Sequence, residues 1–268
     1  MFHVKHCERG AEMGKIIAIV NQKGGVGKTT TAVNLAAGVG IAGKKVMLVD
    51  ADPQGNSTSG FGINKKQVKV TTYELLIGTG KLENAVIKTE FKNVDIVPSS
   101  MNLAAAEVDL IEMEHREAQL KMALAAARDN YDYIFIDCPP SLGLITINAL
   151  NAADTVLVPI QCEYFALEGL SQLMNTVRQV KRLYNPTIEI EGIVLTMYDG
   201  RLNLTAQVVA EIKKYFADKL YKTAIPRAVR LSEAPSYGMP IQYYDKRSKG
   251  AAAYDDLTKE FIKKNRRK

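Results

Sequence analysis

Residues 22–30, "QKGGVGKTT", combine glycines, lysines and hydroxyl side chains in a spacing that suits phosphate binding. Glycines let backbone N–H groups close around phosphate oxygens, and the N-terminus of a following helix adds partial positive charge. Lys28 can reach the β- and γ-phosphates of a nucleotide, and the Thr29 hydroxyl suits Mg²⁺. We predict that the nucleotide site includes Lys23, Gly24, Gly25, Val26, Gly27, Lys28, Thr29 and Thr30.

One position marks this loop as a variant. The strict pattern GxxxxGK[ST] has a glycine where this chain has Gln22. In addition, a second lysine, Lys23, stands at the entrance of the loop, so the spacing leaves open which lysine serves the phosphate. A glycine-rich turn without a ligand is the alternative interpretation, but the apolar run before the loop and the helical pattern after it favour a nucleotide site.

Two acidic segments supply the other groups that phosphoryl transfer to water needs, which are a metal ligand and a group that orients the attacking water. "FIDCPP" ends an apolar run in Asp137, which we assign to the metal through a water molecule. "LVDADPQGN" places Asp50 and Asp52 at the end of another run, and we assign the orienting role to Asp52. Aspartates that only cap the next turn are the alternative interpretation.

The elements that must position these residues alternate along the chain. Short apolar runs rich in Val and Ile indicate strands buried on both faces of a parallel sheet, and they cover residues 15–21, 45–50, 93–100, 131–137, 154–160 and 189–199. Helical patterns cover residues 28–42, 114–129, 165–184 and 203–220. The alternation predicts an α/β fold, a doubly wound and mostly parallel sheet with helices on both faces. Ligands of such sheets bind beyond the carboxyl ends of the strands.

Composition and length favour a single domain. The chain has 268 residues, of which 47% are hydrophobic and 24% charged. We assign residues 13–264 to one ATPase-type domain, residues 1–12 to an extension and residues 265–268 to a basic tail. No apolar run is long enough to span a bilayer and no secretory signal is evident, so we expect a cytoplasmic protein. The three cysteines form no CxxC pair.

Five segments together resemble the ParA/Soj chromosome-partitioning ATPases, which belong to the deviant Walker A group with MinD and the nitrogenase iron protein. They are "KGGVGKTT", "DADPQGN", "IDCPPSLG", "PIQCEYFALEGL" and "IPRAVRLSEAPSYGMPI". The resemblance extends from Met13 to about Phe261. It implies an ATP-dependent homodimer with two nucleotides at its interface, ATP and Mg²⁺ as cofactors, and a ParB-type centromere-binding protein as the partner that stimulates hydrolysis.

The resemblance also implies roles for individual residues. Lys23 reaches across to the phosphates of the partner subunit, whereas Lys28 binds the phosphates of its own subunit. Asp52 is needed for hydrolysis, so that Lys23, Lys28 and Asp52 form the catalytic set. The base of the nucleotide lies near Pro226 and Arg227 of "IPR".

The charge distribution favours binding to double-stranded DNA without sequence preference. Net charge is +6, and residues 178–268 hold 19 Lys and Arg against 10 Asp and Glu, which is an excess of nine positive charges. The resemblance implies Arg201 and Arg230 as DNA contacts. Composition adds Lys213, Lys222, Arg247 and Lys249. A protein of this kind would be associated with the nucleoid.

Two related functions remain open. A MinD-like membrane-cycling ATPase needs an amphipathic C-terminal helix, but Leu257, Phe261 and Ile262 give only a thin apolar face, which favours a last helix packed on the domain. An electron-transfer ATPase needs cysteines that hold an iron–sulfur cluster, and the placement of Cys138 and Cys162 does not suit one. We therefore expect neither a membrane nor a cluster as a partner.

The first residues carry a separate hypothesis about the gene. Met13 begins "MGKIIAIVNQKGG", where the resembling proteins usually start, so residues 1–12 look like an extension or a start-site artefact. With one choice of codons, "MFHVKH" encodes the palindrome TGTTTCACGTGAAACA, the parS site that ParB proteins recognise. We hypothesise that the extension reads through a parS site. The nucleotides of these codons test this hypothesis, because any other codon set removes it.

Overall fold

The computed structural model describes residues 13–266, so the predicted extension and the last two residues of the predicted tail lie outside the described part. Seven strands form one sheet in the order β3-β4-β2-β5-β1-β6-β7. All neighbours run parallel except β3, which is antiparallel to β4. The strands are β1 (Lys15–Ile19), β2 (Val46–Asp50), β3 (Ile87–Lys88), β4 (Val94–Val97), β5 (Tyr133–Asp137), β6 (Thr155–Gln161) and β7 (Glu189–Thr196).

Helices connect these strands and cover both faces of the sheet. They are α1 (Lys28–Ile41), α2 (Asn56–Gly60), α3 (Thr72–Leu76), α4 (Leu82–Ala85), α5 (Ala106–Asp109), α6 (Gln119–Leu124), α7 (Leu144–Ala152), α8 (Ala166–Leu183), α9 (Asn203–Phe216), α10 (Val229–Glu233), α11 (Ile241–Tyr244) and α12 (Lys249–Lys264). Short 3₁₀ turns occupy residues 65–67, 101–105, 125–129 and 234–237.

The strands are apolar throughout because each of their two faces is covered. In β1, Ile16 and Ala18 face the layer that contains α7 and α8, while Ile17 and Ile19 face the layer of α1 and α12. Successive side chains of a strand point to opposite faces, so only an uninterrupted apolar run fills both layers. The observed sheet confirms the predicted doubly wound, mostly parallel α/β class.

One helical prediction was wrong. The pattern over residues 114–129 forms turns up to residue 118, the six-residue α6 and then a 3₁₀ turn. The side chains of α7 explain the interruption, because Asn148 Nδ2 donates to the Arg116 carbonyl at 2.7 Å and Asn151 Nδ2 donates to the Glu117 carbonyl at 2.8 Å. These carbonyls are therefore bound by a neighbouring helix. The short antiparallel β3 was not predicted.

Strand register brings the predicted chemical groups to one edge of the sheet. β5 lies between β1 and β2, and Asp137 is level with Ile19 on one side and with Asp50 on the other. The phosphate loop follows Ile19 directly, and Asp52 follows Asp50 by two residues. Because parallel strands end at the same edge, these three loops meet there.

We expect Phe261→Ala to destabilise the whole domain. Phe261 is fully buried in α12, and its ring lies 5.2 Å from that of Tyr133 and 5.6 Å from that of Phe135. Truncation of such a side chain should lower the free energy of unfolding by about 3–5 kcal/mol, measured by urea denaturation. Lys259→Ala on the exposed side of α12 is the control and should change it by less than about 0.5 kcal/mol. Equal stabilities would contradict this role of α12.

Candidate functional site

The loop between β1 and α1 has a backbone shape that needs glycine. Gly25 and Gly27 have φ angles of 74° and 83°, in the left-handed region that other residues seldom adopt. Gly27 is also the N-cap of α1, where it has no side chain to occupy the first N–H groups of the helix. Thr196 at the end of β7 donates a 2.8 Å hydrogen bond to the Val26 carbonyl and holds the loop. The backbone N–H groups of the loop and the N-terminus of α1 are therefore close together, as an anion-binding site requires.

Lys28 is turned inward, across this loop. Its Nζ donates to the Lys23 carbonyl at 3.1 Å, and only 7% of the residue is exposed. Burial lowers the pKa of Lys28, while the nearby Asp137, Cys138 and Asp52 act in the opposite direction. A buried ammonium group of this kind is well placed to attract a strongly anionic ligand, because little water would have to be removed from it.

Asp137 has the environment of a metal-site carboxylate. It is fully buried, and Ser57 Oγ donates a 2.7 Å hydrogen bond to its Oδ2. Its Oδ1 is also buried and has no hydrogen-bond partner among the residues that the structure describes. Burial raises the pKa of Asp137, while the hydrogen bond from Ser57, the nearby Thr29 hydroxyl and the charge of Lys28 act in the opposite direction. An unused buried carboxylate oxygen beside a threonine hydroxyl fits a hydrated Mg²⁺, which keeps most of its water ligands.

The two aspartates after β2 have different surroundings. Asp50 is fully buried, and its Oδ2 accepts hydrogen bonds from the N–H and the hydroxyl of Thr58 at 2.8 and 2.7 Å. Burial and the charge of Asp137 raise the pKa of Asp50. Asp52 is 8% exposed and lines a cavity, while its Oδ1 accepts a hydrogen bond from Gln54 N–H at 2.9 Å. Asp50 thus anchors α2, whereas Asp52 both caps a turn and faces the cavity.

That cavity has a volume of about 710 Å³ and unites most of the predicted site residues. The predicted residues that line it are Gly24, Gly25, Gly27, Lys28, Thr29, Thr30, Asp52, Pro226 and Arg227. Val26 is buried beneath the loop, and Lys23 does not line the cavity. The volume and the mixture of loop donors with apolar walls suit a nucleotide-sized ligand. Pro226 and Arg227 line the cavity just before α10 begins.

Lys23 lies outside the cavity and pairs with a residue that the sequence did not indicate. Its Nζ forms an ion pair with the Glu163 carboxylate, just before α8, and both side chains are partly exposed. The neighbouring Gln22 donates from Nε2 to Gln172 Oε1 at 2.7 Å. Asn21 is buried and accepts from the Lys23 N–H at 2.9 Å. The entrance of the loop is therefore fixed to the beginning of α8.

The six predicted DNA contacts fall into two groups. Arg201, Arg230, Arg247 and Lys249 lie at the end of the molecule where the strands finish. Lys213 is in the last turn of α9, and the Lys222 N–H donates to Glu260 near the C-terminal end of α12. Because α12 has 16 residues, its two ends are about 22 Å apart. Lys222 thus lies well away from Arg247 and Lys249, and Lys213 lies about 15 Å along α9 from the end next to Arg201.

The two arginines that the family resemblance implies as DNA contacts already have acidic partners in their own subunit. Arg201 is 89% exposed at its side chain and donates from Nε and Nη2 to the two oxygens of Asp199, at 2.9 and 2.6 Å. This pair lowers the pKa of Asp199 to about 2. Arg230 contacts Glu233 at 2.8 Å and Asp245 at 3.5 Å. Arg230 sits on α10, which also lines the cavity on its other side.

Neither the concavity at the other end of the strands nor the two described cysteines form a second candidate site. A larger concavity of about 950 Å³ lies at the opposite end of the strands, but Lys15, Lys44 and Arg128 in it are already paired with carboxylates. Cys138 and Cys162 are buried, and no group of three or more His, Cys, Asp or Glu suited to a metal occurs within residues 13–266. None of the helices described is long and apolar enough to cross a membrane.

Comparisons with known proteins agree with this geometry. A family profile described as "AAA domain" matches residues 14–190. The sporulation initiation inhibitor protein Soj of Bacillus subtilis is 59% identical over 248 residues, which cover 92% of this chain and 98% of Soj. The chromosome partitioning protein ParA of Myxococcus xanthus is 51% identical, over 96% of this chain and 92% of ParA.

A solved structure shares the fold. Cobyrinic acid a,c-diamide synthase from Mycobacterium smegmatis, with bound ADP and magnesium, matches with a TM-score of 0.80 and 34% identity, over 94% of this chain and 95% of that one. The fold and the loop together define a P-loop nucleotide-binding protein of the deviant Walker A group. Within that class, the chain belongs to the ParA/Soj family of chromosome-partitioning ATPases.

Several residues of the site were missed by sequence reasoning. They are Ser57, Thr58, Glu163 and Thr196, each a polar side chain that contacts the loop or a predicted aspartate. Serine and threonine are common in loops, so no spacing signal distinguished them. Glu163 was inside a segment that carried the family resemblance, but nothing in the sequence paired it with Lys23.

We expect Thr58→Val to destabilise the domain. The Thr58 hydroxyl donates to the buried Asp50 carboxylate and accepts from the Ser99 N–H at 2.9 Å. Valine has nearly the same shape but satisfies neither group, so the free energy of unfolding should fall by about 3 kcal/mol. Thr58→Ser keeps both hydrogen bonds and should cost much less. Urea denaturation of both variants distinguishes them, and equal losses would contradict a role for the hydroxyl.

Proposed function

We propose that this chain is an ATP-dependent DNA-partitioning ATPase that forms a dimer around two ATP molecules, binds nonspecific DNA and is released by hydrolysis. The observation that carries the proposal is the convergence of Lys28, Thr29 and Asp52 on one cavity beside the glycine loop, with the buried Asp137 carboxylate close to Lys28 and Thr29. The relationship to Soj and ParA supports ATP and Mg²⁺ as the ligands, as does the related solved structure with ADP and magnesium.

The hydrolytic roles follow from the positions of the side chains. Loop N–H groups and the N-terminus of α1 bind the phosphates, and Lys28 places its buried charge against the β- and γ-phosphates. Thr29 and Asp137 would hold Mg²⁺, Asp137 through water, and the ion would neutralise charge that develops on the phosphates. Asp52 at the cavity wall orients the attacking water. Pro226 and Arg227 contact the base.

Lys23 has a different role, because it faces away from the cavity of its own subunit. A lysine at that position can contact the nucleotide of a second subunit that faces the loop. Each nucleotide would then meet Lys28 from its own subunit and Lys23 from the partner. Turnover in the isolated subunit should be slow, since neither nucleotide site is complete without the second copy.

DNA binding is supported by the arginines at the same end of the molecule. Arg230 lies on α10, whose other residues Val229, Leu231 and Ser232 line the cavity, so the nucleotide site and the DNA contact share one short helix. Arg201, Arg247 and Lys249 extend the basic surface at this end. The Lys213 and Lys222 group is a separate surface that could follow a second stretch of the same duplex.

A ParB-type protein bound to a centromere site is the partner that would stimulate hydrolysis, and the dimer would be found on the nucleoid. The MinD-like alternative is less favoured, because α12 buries Leu257 and Phe261 against the domain, where Phe261 packs on Tyr133 and Phe135 of β5. The apolar face of α12 is therefore occupied and is not free to enter a lipid surface.

DNA retention across a salt series tests the proposed function. We expect ATP, but not ADP, to support retention of the parent protein, and retention should fall steeply with salt. Arg201→Ala should weaken binding and reduce the salt slope by about one per subunit, because one phosphate contact is lost. Asp199→Asn should strengthen binding, because it removes the carboxylate that now occupies the Arg201 guanidinium.

Arg182→Ala, which removes an exposed arginine of α8, serves as the control for net charge. Equal losses for Arg182→Ala and Arg201→Ala would mean that only overall charge matters. Retention that is independent of ATP would contradict the proposed switch.

Lys23→Ala should lose the ATP-dependent dimer while the monomer keeps some nucleotide binding. The substitution leaves the Lys23 carbonyl, which accepts from Lys28, so the loop of the same subunit stays in place. Sedimentation with a slowly hydrolysed ATP analogue measures the dimer, and fluorescence titration measures nucleotide affinity. Lys121→Ala on α6 is the matched control. An unaffected dimer in Lys23→Ala would refute the contact across subunits.

A further inference from the structure

Two aromatic side chains near the entrance of the phosphate loop are mostly exposed to solvent. Tyr164 and Phe165 are 75% and 63% exposed, and their rings meet edge to face with centroids 5.0 Å apart. Aromatic rings lose favourable burial free energy when they face water, so an exposed pair marks a contact surface more often than a scattered apolar residue does.

Contacts of the adjacent residues fix where this pair lies. Glu163, directly before Tyr164, forms the ion pair with Lys23, and Gln172 in α8 accepts a hydrogen bond from Gln22. A Cβ atom added to Gly169 would meet Gln22 Nε2 at 3.4 Å, so α8 and the loop entrance lie in close contact. The aromatic pair is therefore on the same surface as Lys23.

We propose that residues 163–165 form the self-association surface that accompanies Lys23. In the isolated subunit Glu163 holds Lys23. In the dimer the second copy covers Tyr164 and Phe165, and Lys23 exchanges Glu163 for the nucleotide phosphates of that copy. This inference rests on the proposed function, because it requires the ATP-dependent dimer.

The charges favour such an exchange. Both members of the Lys23–Glu163 pair are partly exposed, with side-chain exposures of 37% and 46%. Partly exposed ion pairs contribute little, because water screens them and two flexible side chains must be ordered. A triphosphate offers Lys23 more negative charge in a space that the second copy closes to water, where the attraction is stronger.

The size of the apolar patch indicates a second copy as its occupant. Two aromatic rings are too small a surface for a stable complex with an unrelated protein, which needs roughly 800 Å² on each partner. As part of an interface that already contains the phosphate loops of two subunits, the pair would supply the buried aromatic centre that such interfaces use.

Sedimentation of the full chain with a slowly hydrolysed ATP analogue tests the surface. The double substitution Tyr164→Ser and Phe165→Ser should weaken the dimer at least about thirtyfold, while nucleotide affinity of the monomer is unchanged. Tyr184→Ser is the matched control, because Tyr184 is 37% exposed and lies at the other end of the 18-residue α8, about 27 Å along the helix. A dimer as strong in the double variant as in the control would overturn the proposal.

Glu163→Gln tests the exchange independently. The variant keeps the shape of the side chain but releases Lys23, so the dimer should become stronger, by about two- to fivefold, with Glu168→Gln as the control. A weaker dimer or no change would show that Glu163 does not hold Lys23 back. If Lys23→Ala loses the dimer while these variants behave as their controls, only this inference fails. If Lys23→Ala retains it, the proposed function itself fails.

Discussion

The burial of Lys28, Asp50 and Asp137 at one edge of the parallel sheet is the constraint on which the rest of the site depends. Charged groups out of water are costly unless they are paired or hydrogen bonded. The Thr58 hydroxyl donates a hydrogen bond to Asp50, and the Ser57 hydroxyl donates one to Asp137. These hydrogen bonds hold the short helix α2 against the two carboxylates. The glycine loop, α2 and the ends of three strands are thereby fixed to one another before any ligand binds.

Burial also distinguishes the two lysines of the loop. Lys28 is enclosed and turned across its own loop, whereas Lys23 is partly exposed and turned toward α8. A group inside the cavity can serve only the ligand of its own subunit. A group at the rim can serve another molecule, and this difference in position, rather than any difference in chemistry, separates the roles that we propose for them.

Three basic side chains to which we assign a nucleotide or DNA contact outside the subunit already form ion pairs within it. Lys23 pairs with Glu163, Arg201 with Asp199 and Arg230 with Glu233. Such exposed pairs are weak, so each can be replaced by a phosphate without a large cost. Under the proposed function, a subunit built in this way would keep its basic groups ordered and exchange their partners when a nucleotide or a duplex is offered.

Apolar runs and loop spacing determined the doubly wound fold and the phosphate-loop residues of the cavity, because a two-sided parallel sheet and a glycine loop leave strong local patterns. The helix expected over residues 114–129 was wrong because asparagines of α7, distant in sequence, bind its carbonyls. The pairing of Lys23 with Glu163 and the division of the basic residues into two groups were likewise decided by tertiary structure alone. Contacts between side chains more than a hundred residues apart depend on how the sheet orders its strands, and that order leaves no periodic trace in the chain.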